Sequence, residues 1–283
     1  MTSDLSDAPL RLTFLGTGDA AQTPAYGCHC PACERARRDE SRRRRPCSAL
    51  LEAGGQRYLI DSGLTDLAER FPAGSLDGIL QTHYHADHAQ GLLHLRWGKG
   101  APLPVLGPPD PEGFADLYKH PGPLDFSNPF QAFERRALGQ HRKPGGQIFV
   151  TAILLAHSKI TFGYLIEYGE RKLAYLTDTS GLPDESKTFL QQFRLDALIL
   201  DCTHPPTAPD APARPQNHND LTRALADAHA IAPAKTCLTH ISHTLDAWLE
   251  HHPLPDNFPP ATSFAYDGLV IECQGMPDQS SPL

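Results

Sequence analysis

Gly78-Ile79-Leu80-Gln81-Thr82 is a short apolar run of strand character, and His83-Tyr84-His85-Ala86-Asp87-His88 follows it without a break. Four side chains able to ligate a cation thus fall within six residues. On an extended segment alternate side chains share a face, so His83 and His85 project the same way, while Asp87 and His88 enter a turn or helix start. One such cluster can serve two adjacent ions. Two ions need further ligands, and His157, Asp178 and His240 each follow a run of strand character, at 151–156, 173–177 and 236–239. Sites on layered α/β folds collect at strand ends, and a carboxylate can bridge two cations.

Working outward, alternating or continuous apolar runs predict strands at 10–15, 47–53, 57–60, 78–82, 148–155, 161–168, 172–177, 197–200, 236–239 and 268–273. Helical periodicity lies between them at 65–70, 88–95, 183–193, 220–230 and 245–250, with Asn219 as the expected cap of the fourth helix. Interleaved strands and helices predict an α/β protein of two facing sheets with helices outside. No fixed-period repeat or long linker interrupts the chain, so 1–283 is read as one domain. The segment 205–215 holds five prolines in eleven residues and reads as a stiff surface loop, and 276–283 as a frayed polar tail.

Composition narrows the chemistry. With 283 residues and 40% hydrophobic content the chain can bury a core without disulfides, which excludes disorder and coiled coil. No apolar run approaches the roughly 20 residues a bilayer demands, so no membrane partner is expected. The opening residues lack a basic stretch followed by an apolar one, and the expected location is cytoplasmic. A net charge of −8 gives no global attraction for nucleic acid and favours small substrates. Fifteen histidines, the commonest metal ligand, point to metal.

Gly27-Cys28-His29-Cys30-Pro31-Ala32-Cys33 places three thiols in six residues, so 27–33 is read as a zinc-binding loop of the closed tetrahedral type. The fourth ligand is open: His29 is near in sequence, while His243, three residues after His240, could reach the loop from elsewhere. Cys47, Cys202, Cys237 and Cys273 stand alone and read as small core residues.

The His83, His85, Asp87, His88 pattern resembles the HxHxDH signature of the metallo-β-lactamase superfamily. That resemblance implies an αββα four-layer sandwich. It also implies that His83, His85 and His157 hold one metal, Asp87, His88 and His240 the other, that Asp178 bridges them, and that Asp61 orients the site from behind. With the cysteine loop and the stretches 43–48, 91–98, 119–122 and 238–243, the chain resembles the phosphoribosyl 1,2-cyclic phosphate phosphodiesterases of the carbon–phosphorus lyase pathway over roughly 10–271. This implies a structural zinc on Cys28, Cys30, Cys33 and His243, a homodimer, and hydrolysis of 5-phosphoribosyl 1,2-cyclic phosphate to ribose 1,5-bisphosphate. The loop 18–24 only approximates that family's pattern.

His218 lies between the proline-rich loop and a predicted helix start, where it can reach a cleft, and the resemblance makes it the general acid. Asp87 is counted beside it in the catalytic step as well as among the ligands. Mixed histidine and carboxylate donors suit manganese or zinc, and also nickel or iron. The phosphorylated sugar needs a cationic subsite, for which Arg96, Lys119 and Lys159 are the candidates, whereas the arginine run 42–45 reads as a solvated face. Two competing readings are a tRNA 3′-processing nuclease, which should carry an extended basic arm, and a non-catalytic metal-binding protein on the same fold, which should have lost ligands. The bridging aspartate and cytoplasmic address favour phosphodiesters over β-lactams.

Overall fold

The computed structural model describes residues 9–113, 115–139, 146–207, 217–255 and 258–274. Its strands are β1 (Leu10–Gly16), β2 (Ser48–Ala53), β3 (Gln56–Ile60), β4 (Gly78–Leu80), β5 (Leu103–Leu106), β6 (Leu124–Asp125), β7 (Arg135–Ala137), β8 (Ile148–Leu154), β9 (Phe162–Tyr168), β10 (Arg171–Leu176), β11 (Ala197–Asp201), β12 (Thr236–Thr239), β13 (Thr262–Phe264) and β14 (Val270–Cys273). Its helices are α1 (Pro31–Arg38), α2 (Leu67–Arg70), α3 (Ala86–Ala89), α4 (Leu92–Leu95), α5 (Ala115–Lys119), α6 (Asp184–Leu190), α7 (Leu221–Ile231) and α8 (His243–His251).

The strands form two seven-stranded sheets, ordered β14-β1-β2-β3-β4-β5-β6 and β13-β12-β11-β10-β9-β8-β7. In each sheet a parallel block, β3 to β6 and β10 to β13, adjoins an antiparallel remainder. Parallel strands put all their C-terminal ends on one edge, and that edge carries Asp61 after β3, His83 beyond β4, Asp178 beyond β10, Asp201 at the end of β11 and His240 after β12.

Three apolar layers separate four structural ones. Leu12, Phe14, Leu51 and Ile60 from the first sheet meet Val150, Tyr164, Tyr175 and Ile199 from the second. The outer face of the second sheet buries Leu198, Leu200 and Leu238 against α6, α7 and α8, through Leu190, Leu221, Ala224 and Leu245. The outer face of the first buries Leu59, Ile79 and Val105 against Leu67, Leu92 and Leu117. β11 is therefore covered on both faces, which is why Ala197-Leu198-Ile199-Leu200 reads as an unbroken apolar run. This is the expected helix-sheet-sheet-helix sandwich.

Local departures from the sequence reading have physical causes. The helix expected over 88–95 is two short helices, because Gly91 sits where a Cβ would lie 2.2 Å from the Leu64 carbonyl oxygen and its N–H donates to Ser62 instead. Asp220, not Asn219, caps α7 by accepting from Arg223 N at 2.8 Å, while Asn219 accepts from Gly181 N. The second half of the cysteine loop is the first turn of α1, with Pro31 at its start. β5, β6, β7 and β13 went unread because they are two to four residues long and, unlike the equally short β4, contain proline or charged residues or too few apolar ones to make a run. Of the expected proline-rich loop, 205–207 is described and 208–215 lies outside the described residues, as do 1–8 of the opening stretch and the tail at 276–283. No helix among the described residues is long and apolar enough to cross a membrane.

Candidate metal centre

The β4-to-α3 corner brings the signature residues to the shared edge. His83 and His88 are fully buried, and α3 begins immediately after His85. Nε2 of His83 and Nε2 of His157 lie 2.9 and 3.0 Å from Nδ1 of His85. The outer atoms fix the protons. His157 Nδ1 donates to the Asn217 carbonyl at 2.9 Å, so its Nε2 turns a lone pair inward. Thr82 directs its hydroxyl proton to Asp61, so its oxygen, 3.0 Å from His83 Nδ1, accepts from that nitrogen. Nitrogen lone pairs crowded together in this way are what a cation satisfies.

A second set adjoins the first. Asp87 Oδ2 lies 3.3 Å from His88 Nε2 and 3.6 Å from His240 Nε2. Asp178 divides its carboxylate between the two sets: Oδ1 is 3.2 Å from His88 Nε2 and 3.4 Å from His240 Nε2, while Oδ2 is 3.6 Å from both His83 Nε2 and His157 Nε2. His88 Nε2, His240 Nε2 and Asp178 Oδ1 are buried without a hydrogen-bond partner. Orphaned polar atoms are costly in a protein interior, and three converging on one point mark the place of an ion. The donor set fits a pair of divalent cations, one on His83, His85 and His157, the other on Asp87, His88 and His240, with Asp178 between.

Outer contacts hold each ligand. Asp61, wholly buried, accepts from His88 Nδ1 at 2.7 Å and from Thr82 N, and reaches His83 through the Thr82 hydroxyl. His240 Nδ1 lies 2.9 Å from Thr203 Oγ1, whose proton goes to Asp201. The other Asp201 oxygen is 2.8 Å from His218 Nδ1 and accepts from Thr179 N at 3.1 Å. Asp201 thus serves His240 and His218 together, a role the sequence reading missed. Its one signal was position, an aspartate at a strand end like Asp178. The backbone turns sharply at three of these residues. Asp61, Asp178 and His240 have φ of 58°, 66° and 59°, in the left-handed region.

Charge differs between the two sets. Burial holds His83 well below the ordinary imidazole value and also lowers His85 and His157. Burial opposes protonation of His240 too, yet Asp178, Asp87 and Asp201 outweigh it and push that residue up to about 9. Burial likewise opposes the charged form of His88, but Asp178, Asp61 and Asp87 hold it well above normal. The carboxylates of this set thus favour positive charge beside them, the electrostatic setting that suits a divalent cation.

The cysteines form a separate group. Cys28, Cys30, Cys33 and His243 converge, with His243 Nδ1 3.5 Å from the first two sulfurs. His29, the other possibility for the fourth place, instead pairs with Glu34 at 2.8 Å and is largely exposed. Cys33 is buried, which pushes its thiol up to about 12, whereas a hydrogen bond from Cys30 N lowers Cys28. Cys47, Cys202, Cys237 and Cys273 are buried and unbridged.

Of the phosphate candidates, Lys159 lies two residues from His157 and donates to Asp110 at 2.9 Å. Arg96 lies over the Trp97 ring, and Lys119 ends α5 beside Tyr118, whose hydroxyl donates to the Asp110 carbonyl. The arginine run is not simply a solvated face. Arg44 is mostly buried and grips Asp246 at 2.6 and 2.9 Å, and Arg42, Arg43 and Arg45 pair with Asp39, Glu40 and Asp66.

Two sheets flanked by helices, with histidines and aspartates gathered at one strand edge, define a metallo-β-lactamase fold. Residues 56–241 match the beta-lactamase superfamily domain, and the chain belongs to that family. It is similar to a diphosphatase from the PhnP family, with a TM-score of 0.72 and 27% identity, covering 94% of this chain and 97% of that one. It is 28% identical over 280 residues to an octanoyltransferase of Porphyromonas gingivalis, covering 94% of this chain and 53% of the relative. It is 27% identical over 171 residues to a ribonuclease Z of Methanosarcina acetivorans, covering 56% and 48%. The chain spans about half the length of these two curated relatives.

Proposed function

We propose that the protein is a dinuclear-metal phosphodiesterase that hydrolyses 5-phosphoribosyl 1,2-cyclic phosphate to ribose 1,5-bisphosphate. The observation that carries the reading is the Asp178 carboxylate shared between two ligand sets, with the His218–Asp201 pair beside it. The likeness to a PhnP-family diphosphatase along nearly the whole chain supports it.

When bound, two divalent cations would lower the pKa of a water and offset charge on the phosphoryl oxygens. The chain's own residues do the rest. Asp201 fixes the His218 ring with Nδ1–H toward the carboxylate, which leaves Nε2 to deliver a proton. As the water oxygen bonds to phosphorus and the bond to the 2-oxygen of the ribose breaks, that proton goes to the departing oxygen. Asp201 thereby keeps the ring oriented, and Asp87, partly exposed beside His88 and His240, can orient the incoming water.

The diphosphatase likeness favours a second reading, cleavage of a phosphoanhydride in the same centre. A tRNA nuclease is disfavoured, since the arginine run is matched by Asp39, Glu40, Asp66 and Asp246 and offers little free positive charge. Phosphorus NMR of the cyclic phosphate with zinc-loaded protein tests the proposal. Formation of ribose 1,5-bisphosphate, abolished by a chelator, is expected. No conversion by a fully loaded sample, with cleavage of a diphosphate or of precursor tRNA instead, would overturn it.

A further inference from the structure

His204 belongs to no sequence motif, holds no place among the metal ligands and takes no part in the proton transfer from His218. Its backbone is clamped on both sides: its N–H donates to Asn219 O at 3.1 Å, and Leu221 N donates to its carbonyl at 3.0 Å. The same stretch carries His218, between Asn219 and Asn217, whose carbonyl holds His157. The rings of His204 and His218 stand edge to face with centroids 6.2 Å apart. His204 is half-buried, and its side chain makes no hydrogen bond among the described residues. The ring nitrogens of His204 are not among the buried atoms left without a partner, so they are open to the cleft's solvent. A ring on a clamped backbone, beside the proton donor and without a hydrogen bond among the described residues, is suited to an incoming ligand.

We propose that His204 is a substrate-contact residue that donates a ring N–H to a non-reacting oxygen of the bound phosphoryl group. The identity of the anion rests on the phosphodiesterase reading. Burial, and then the neighbouring His218, lower the proton affinity of His204, so it offers a neutral donor with direction but no charge. This suits its place: the cations would supply the positive charge and His204 the direction. One hydrogen bond to an anion accounts for about tenfold in affinity.

The test is titration calorimetry of inorganic phosphate into zinc-loaded wild type, His204→Ala and His204→Asn, with zinc content measured on each. The alanine variant should keep its zinc and bind phosphate about tenfold more weakly, and the asparagine variant, which retains an N–H donor, should recover to within about threefold. On the cyclic phosphate, His204→Ala should raise KM about tenfold and change kcat by less than about threefold. Unchanged phosphate affinity in the alanine variant, or loss of zinc from it, overturns the inference. His204-dependent phosphate binding in a wild type that turns over no phosphodiester would sink the function proposed above and leave the assignment of His204 standing.

Discussion

Replacing Asp201 by asparagine tests the coupling between the metal ligands and the proton donor. The side chain is fully buried and accepts three hydrogen bonds, from His218 Nδ1 at 2.8 Å, Thr203 Oγ1 at 2.9 Å and Thr179 N at 3.1 Å. Asparagine has nearly the same shape, so packing is kept while the charge goes. The amide can turn its oxygen toward Thr179 and His218, because the Thr203 hydroxyl can rotate to accept from the new NH2. The contact to His218 then changes from a charge-assisted bond, worth about 1.5–3 kcal/mol, to a neutral one worth about 0.5–1.5 kcal/mol. A loss of about 1–2 kcal/mol corresponds to roughly 5- to 30-fold in kcat. Steady-state turnover of the cyclic phosphate, beside metal analysis, reads this out. At matched metal content, which sets aside the branch through Thr203 to His240, the double variant with His218→Ala should be no slower than His218→Ala alone. Wild-type turnover by Asp201→Asn at full metal content, or a double variant slowed by the product of the single effects, would refute the reasoning.

Asp178→Ala should strip both ions from the edge site, and elemental analysis finding full occupancy would contradict the shared role of its two oxygens. Cys33→Ser should lose one zinc per chain and melt at lower temperature while the histidine set still binds metal; unchanged zinc stoichiometry would exclude the cysteine centre. Burial raises the Asp110 carboxyl, but Lys159 and the N–H groups of Gly113 and Glu112 outweigh it and hold the group below the usual range. Such a group stabilises the fold above its unfolded value near 3.8, and that stability is lost as pH falls through the lower folded value. The Tm deficit of Asp110→Asn should therefore be largest near neutrality and shrink below about pH 4; a deficit independent of pH would show that the ion pair is not its source.

The two facing sheets and the candidate ligands at strand ends follow from periodicity and local order, whereas the sharing of those ligands between two metals and the place of Asp61 came through the family resemblance. Apolar runs such as 197–200 announce strands buried on both faces, and a histidine or aspartate just past such a run lies on the functional edge. Asp201 obeys the same rule but sits in Leu200-Asp201-Cys202 with no motif around it, and its partners His218 and Thr203 reach it only through the fold. Thr82 and Thr203 were illegible for a related reason, since a hydroxyl that hands a proton on is indistinguishable in sequence from one that packs. The fourth cysteine-site ligand illustrates the limit of spacing. His29 was nearer in the chain, but its ring points to Glu34, and His243 arrives from the start of α8. The short strands β5, β6, β7 and β13 were lost because two to four residues give too few alternations to show a period.

The left-handed backbone at Asp61, Asp178 and His240 has a further consequence. Such conformations cost a side-chain-bearing residue about 1–3 kcal/mol each, and glycine adopts them freely. Glycine at Asp178 would relax the chain and remove the carboxylate shared by the two ligand sets, so stability and function call for different residues there. At Asp61 glycine would orphan the buried donors of His88 and Thr82, and at His240 it would leave a cavity, so relief of the backbone is offset. A library selected only for thermal resistance without metal should drift toward glycine at 178 alone, and one selected for turnover should hold aspartate, aspartate and histidine.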